Sequence, residues 1–191
     1  MDTVLLLGDS IRLGYAPFVK EELQTAANVV YPEENGRFTQ YTYIRLSAWK
    51  TELVEDAESV KVVHFNNGHW DVAHWNNDPQ SLNTKESYCA MLRRIHARLR
   101  EMYPNAKLIF ATTTPMNPAG IQGENRRTTE EIIPYNAAAT AVMRELGVPV
   151  NDLFALMQNA PARLYADHCH YTEEGFRMLG HQVAGVIRSY L

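Results

Sequence analysis

The chain has 191 residues, 46% of them hydrophobic, 21% charged and 10% aromatic, a profile that excludes fibrous, collagenous and disordered classes. Lys+Arg 18 against Asp+Glu 22 gives a formal charge of -4. No basic cluster reaches the density that a phosphate-tracking surface requires, so nucleic acid is not an expected partner. A chain of this length buries roughly 70% of the surface its unfolded form exposes, enough to hold a core without disulfides or metals.

The first apolar run, Val4 to Leu7, is far too short to span a bilayer and lacks the flanks of a signal peptide. It reads as a first strand, followed by a helical pattern from Ile11 to Thr25. Ala27 to Tyr31 and Val60 to Phe65 read as the second and third buried strands. Between Ser87 and Met102, the residues Tyr88, Met91, Leu92, Ile95, Leu99 and Met102 recur at spacings of three and four on one face. A fourth strand is expected over Lys107 to Thr112 and a helix over Pro134 to Leu146, ended by Gly147. Val148 to Asn151 forms a fifth strand with Pro149 marking an edge. Thr172 to Tyr190 is the last helix, with Glu173 and Glu174 in its first turn.

Strand and helix alternate, and parallel neighbours need helical crossovers, so the expected fold is α/β: a three-layer α/β/α sandwich around a parallel sheet of about five strands. No repeat, low-complexity stretch or linker divides the chain, which is expected to be a single domain over residues 1–191. The segments Asp78 to Lys85 and Pro118 to Glu131 read as surface insertions. The two cysteines, Cys89 and Cys169, lie far apart without CxxC spacing, so reduced thiols and a cytoplasmic location are expected.

In such sheets ligands bind beyond the carboxyl ends of the strands. Ser10 follows the first strand in Gly8-Asp9-Ser10-Ile11-Arg12, which taken alone also reads as an ordinary helix cap. The hydrolase elbow Gly-x-Ser-x-Gly is not met, and the glycines fit no nucleotide loop. Asn35-Gly36 follows the second strand as a turn signal. Asn66-Asn67-Gly68-His69-Trp70-Asp71 follows the third, and uncharged amides beside a glycine suit an oxyanion site. Asp167 and His170 stand three apart before the last helix, where a carboxylate can orient an imidazole.

These four blocks together resemble the SGNH (GDSL-type) hydrolase family, from Val4 to about Leu179. Leu7-Gly-Asp-Ser10 is similar to the block with the nucleophile, Asn35-Gly36 to the block whose glycine amide donates to the oxyanion, and Asp167-His168-Cys169-His170 to the block with acid and base. The third block departs from the family's Gly-x-Asn-Asp, because Trp70 occupies the Asn position. The resemblance implies a flavodoxin-like sandwich and a serine esterase with Ser10, His170 and Asp167 as catalytic residues and a covalent acyl-enzyme. It implies backbone oxyanion donors at Ser10 and Gly36, each worth about 3 kcal/mol of transition-state stabilisation; with Trp70 in the Asn position, either Asn67, which is favoured, or Asn66 supplies a side-chain amide, or the two backbone amides serve alone. No cofactor or metal is expected. The implied substrate is a small-molecule ester with a short acyl chain, in the family's pattern of acetyl groups on carbohydrate.

Asp9, His69 and Trp70 are candidate substrate contacts, and aromatic planes beside polar groups suit sugars. Trp70 and Trp75 equally suit packing beneath a loop. Arg126 and Arg127 read as solvated rather than facing an anionic substrate, and Cys169 as an inert structural thiol. Two other classes stay open. His64, His69, His74, His168, His170, Cys169 and Asp167 supply ligand types for a metal-dependent hydrolase, though at no known metal spacing. A non-catalytic small-molecule or carbohydrate-binding module on the same sandwich is the other.

Overall fold

A computed structural model describes all 191 residues. Five strands, β1 (Thr3–Leu7), β2 (Asn28–Val30), β3 (Val60–Phe65), β5 (Lys107–Ala111) and β7 (Val150–Asn151), form one sheet in the order β2-β1-β3-β5-β7. Every pairing in it is parallel. The remaining strands, β4 (His74–Trp75) and β6 (Asn125–Arg126), make a short antiparallel ribbon that ties the segment after β3 to the Pro118 to Glu131 insertion.

Alternate residues of β1 point to opposite faces and supply two cores, which is why its sequence is a continuous apolar run. Leu5 and Leu7 pack with α2 (Thr39–Leu53), α3 (Lys85–Met102) and α4 (Thr129–Glu145) in a core of 25 buried residues. Val4 and Leu6 pack with α1 (Ser10–Leu23), α5 (Leu153–Met157) and α6 (Glu173–Arg188) in a core of 21. The outcome is the expected three-layer sandwich with five parallel strands. Helices α1 and α6 approach closely because Gly180 has no side chain: a Cβ there would lie 2.6 Å from Phe18 Cβ.

Three features differ from the sequence expectations. Helix α2 was not anticipated, because its buried face (Thr39, Thr42, Leu46, Trp49) is half polar and carries no apolar stripe. Helix α4 begins at Thr129 rather than Pro134, since Thr128 and Glu131 close a capping box five residues earlier and Pro134 is carried inside the helix. The insertion from Pro118 to Glu131 is therefore shorter than expected, and it carries β6. No helix is long and apolar enough to cross a membrane.

Candidate active site

The carboxyl ends of β1, β2, β3 and β5 open on one edge of the sheet, and the unusual residues gather there. Ser10 is the first residue of α1. Asp9 caps that helix, its Oδ1 accepting from Ile11 N at 3.0 Å and from Asn66 Nδ2 at 3.0 Å. Asp9 is fully buried and its Oδ2 has no partner, so it shapes the nucleophile turn and does not present itself to substrate, contrary to the expectation for it. Burial holds its carboxyl above the ordinary range, against the bonds from Asn66 and Ile11.

His170 Nε2 lies 2.8 Å from Ser10 Oγ, and His170 Nδ1 lies 2.7 Å from Asp167 Oδ2. Nδ1 faces a carboxylate, so it carries the proton, and Nε2 is left to accept from the serine hydroxyl. Asp167 Oδ1 accepts from the backbone N–H groups of Cys169 at 2.8 Å and His170 at 2.7 Å. Partial burial raises the Asp167 pKa, but these two N–H groups and the His170 ring outweigh it and hold the carboxyl well below the usual range. The turn itself is fastened to the loop after β5: Asn117 N donates to His168 O, and Asn117 Nδ2 to Asp167 O, both at 2.9 Å.

The N–H groups of the expected oxyanion donors are not equally free. Gly36 N donates to Gly8 O at 2.9 Å. Asn67 Nδ2 donates to Arg37 O at 3.1 Å and to Thr42 Oγ1 at 2.9 Å, which uses both amide hydrogens. Asn66 Nδ2 spends one hydrogen on Asp9 and keeps one, and Ser10 N has no acceptor within the protein. The sequence-level preference for Asn67 over Asn66 is thus not supported by the hydrogen bonds, because Asn67 pins two loops together.

Residues around this centre differ from their expected settings in two further places. His69 is buried, with Nε2 donating to Thr114 Oγ1 at 3.0 Å and Nδ1 accepting from Arg127 Nε at 3.1 Å, so both ring nitrogens face protein groups. Burial and the Arg127 charge keep it neutral. Arg127, expected in solvent, is only 4% exposed and also donates through Nη1 to Asn125 O at 2.9 Å. Trp70 stacks on Trp75 with ring centroids 4.8 Å apart. Asp71 Oδ1 accepts from Thr39 N, Thr39 Oγ1 and Asn83 Nδ2 at 3.1, 2.6 and 2.7 Å, and burial pushes its carboxyl up to about 6. Thr42, Thr114, Arg37 and Arg127 carry no motif of their own, and only their contacts reveal them.

The ligand types of a metal site do not converge. His64 is buried in the sheet beside Tyr15 and Asn151, and His74 faces Glu131. The one cluster is Asp167, His168 and Cys169, with ligand atoms within 4.8 Å of one another. Asp167 there already holds His170, and burial pushes the Cys169 thiol up to about 12 with the Arg127 guanidinium beside it.

A serine hydroxyl, an imidazole and a carboxylate in line at the strand ends of a three-layer sandwich mark the class: an ester-hydrolysing enzyme of the SGNH fold. Residues 6–178 match the model of the GDSL-like lipase/acylhydrolase family, and the chain belongs to that family. No curated protein matches the sequence.

Among solved structures, a lipase/acylhydrolase from Enterococcus faecalis is 21% identical with a TM-score of 0.77, covering 99% of this chain and 96% of that one. A carbohydrate acetylesterase family member from Sinorhizobium meliloti is 17% identical with a TM-score of 0.78, covering 100% and 99%. An acetyl xylan esterase, AlAXEase, is 17% identical with a TM-score of 0.75, covering 97% and 99%. At these identities the likeness establishes the shared fold.

Proposed function

We propose that the chain is a serine esterase that removes a short acyl group, with acetyl on a carbohydrate as the substrate class, through a covalent acyl-enzyme. The observation that carries this reading is the unbroken line Ser10 Oγ, His170 Nε2, His170 Nδ1, Asp167 Oδ2, with separations of 2.8 and 2.7 Å across its two hydrogen bonds. His170 takes the Ser10 proton as the oxygen attacks the ester carbonyl, then returns it to the departing alcohol. Asp167, ionised throughout, holds the ring and stabilises the imidazolium that forms. A water then enters, loses its proton to His170, and releases the acid while Ser10 is regenerated.

For the oxyanion we assign Ser10 N–H and the remaining hydrogen of Asn66 Nδ2, with Gly36 N–H joining once it leaves the Gly8 carbonyl. The carbohydrate part of the reading draws on the aromatic pair Trp70 and Trp75 near the site and on two fold relatives that are acetylesterases. Unpaired Cys89 and Cys169 fit a reducing, cytoplasmic setting.

A serine-directed fluorophosphonate tests the mechanism. One equivalent should attach to the peptide bearing Ser10 and abolish ester hydrolysis in proportion. Label on a different serine, or full hydrolysis by quantitatively labelled protein, contradicts it.

A further inference from the structure

Arg37 stands beside the candidate site in a conformation that costs energy and serves no internal ion pair. Its backbone has φ 51°, in the left-handed region that side chains adopt at a cost and that concentrates where ligands are gripped. Its neighbour Gly36 is pressed on the nucleophile turn, since a Cβ there would come 2.6 Å from Gly8 O. On the other side Arg37 O accepts from Asn67. The guanidinium is exposed, lies 4.6 Å from the Tyr41 ring centroid and 5.9 Å from that of Trp70, and is thereby held at the edge of the Trp70–Trp75 stack.

Two further guanidiniums flank the same turn. Arg12, two residues past Ser10, is buried and donates to the carbonyls of Pro32, Gly8 and Glu34. Arg127 is buried against His69. Neither Arg37 nor Arg12 nor Arg127 belongs to an ion pair. Arg12 and Arg127 both face Asp9, the cap of the nucleophile turn, with Glu33 acting on Arg12 and the Glu34 carboxylate bonded to the Tyr41 hydroxyl beside Arg37. Of the three guanidiniums only Arg37 is open to solvent, free to pair with an anion.

We propose that the ester cleaved here is carried by an alcohol that also bears a carboxylate, as in an acetylated sugar acid, with its ring on Trp70 and its carboxylate paired with Arg37. This rests on the esterase reading of the same site and narrows its substrate.

The test compares O-acetylated galacturonic acid with O-acetylated galactose, matched in ester position, for wild type, Arg37→Gln and Arg37→Lys, at low and high salt. Wild type should favour the acid by about tenfold or more in kcat/KM, chiefly through KM, with salt eroding the margin. Arg37→Gln should erase the preference and Arg37→Lys should keep part of it. Equal rates for the two sugars in wild type, or a preference that persists in Arg37→Gln, overturns the proposal.

p-Nitrophenyl acetate is run alongside. If wild type fails on it as well, the esterase reading is what has failed. Calorimetric binding of free galacturonate against galactose then decides the carboxylate question without turnover: tighter binding of the acid upholds it, and equal binding removes it.

Discussion

The Asn67 side-chain amide donates to the Thr42 hydroxyl at 2.9 Å, and that hydroxyl donates onward to the Gly36 carbonyl at 2.8 Å. One hydroxyl on α2 therefore locks the loop after β2 to the loop after β3. These are the two loops in which the sequence placed oxyanion donors. Thr42→Val keeps the shape and removes the link, leaving a buried amide hydrogen without an acceptor. Stability should drop by about 1–3 kcal/mol, and kcat should fall with it while KM for a small ester changes little. Urea unfolding and steady-state kinetics on the same preparation check both; an unchanged kcat means that the two loops do not need this bridge.

Gly36 is required for a steric reason. A methyl group at this position meets a backbone carbonyl, Gly8 O, at 2.6 Å, and backbone cannot swing aside as a flexible side chain can. Gly36→Ala should cost about 1–3 kcal/mol and shift the turn that carries Ser10. Thermal unfolding registers the first effect and esterase activity the second.

Asp167 orients His170 and balances its charge, so Asp167→Asn should leave the protein folded yet lower kcat by about 10²- to 10⁴-fold. Because its pKa is depressed in the folded state, the stability it contributes is present above its unfolded value and is lost only as pH falls through the lower folded value. Wild-type esterase activity should therefore show no acid limb from Asp167 in the mildly acidic range. Near-wild-type turnover by Asp167→Asn would be incompatible with its assigned role.

Asp71 behaves in the opposite sense. Burial pushes its pKa up to about 6, above the unfolded value near 3.8. The stabilising contribution is complete below the unfolded pKa and is lost as pH rises through the folded one. Between pH 4.5 and 7.5 this group should cost about 2 kcal/mol. Asp71→Asn should flatten the pH dependence of stability by that amount, as read from urea midpoints at the two pH values; an unaltered slope assigns it to other groups.

Much of this was legible in the sequence for physical reasons. β1 is buried on both faces and reads as an unbroken apolar run from Val4 to Leu7, β3 is apolar apart from exposed Lys61 and buried His64, and α3 is buried on one face and reads as a stripe. Ser10, Asp167 and His170 each read alone as ordinary cap or turn residues, and it was their joint position after strand ends, with the family resemblance, that singled out the three side chains the structure brings into line. Helix α2 was not, since it buries Thr39 and Thr42 to make hydrogen bonds rather than apolar contacts. Arg127 was misjudged because nothing in the adjacent pair Arg126-Arg127 tells that one side chain stays in solvent while the other is buried against His69. The choice between Asn66 and Asn67 could not be made from adjacent letters, because it depends on Thr42 and Arg37, which are remote in the chain.

Ser10 is proposed as the nucleophile of a metal-independent esterase. Its most direct test is the hydrolysis of p-nitrophenyl acetate, butyrate and octanoate by wild type and by Ser10→Ala, each with and without a chelator. Wild type should show chelator-resistant turnover, fastest on the acetate, and Ser10→Ala none above background with its unfolding transition intact. Turnover retained by Ser10→Ala, or abolished by the chelator, contradicts it.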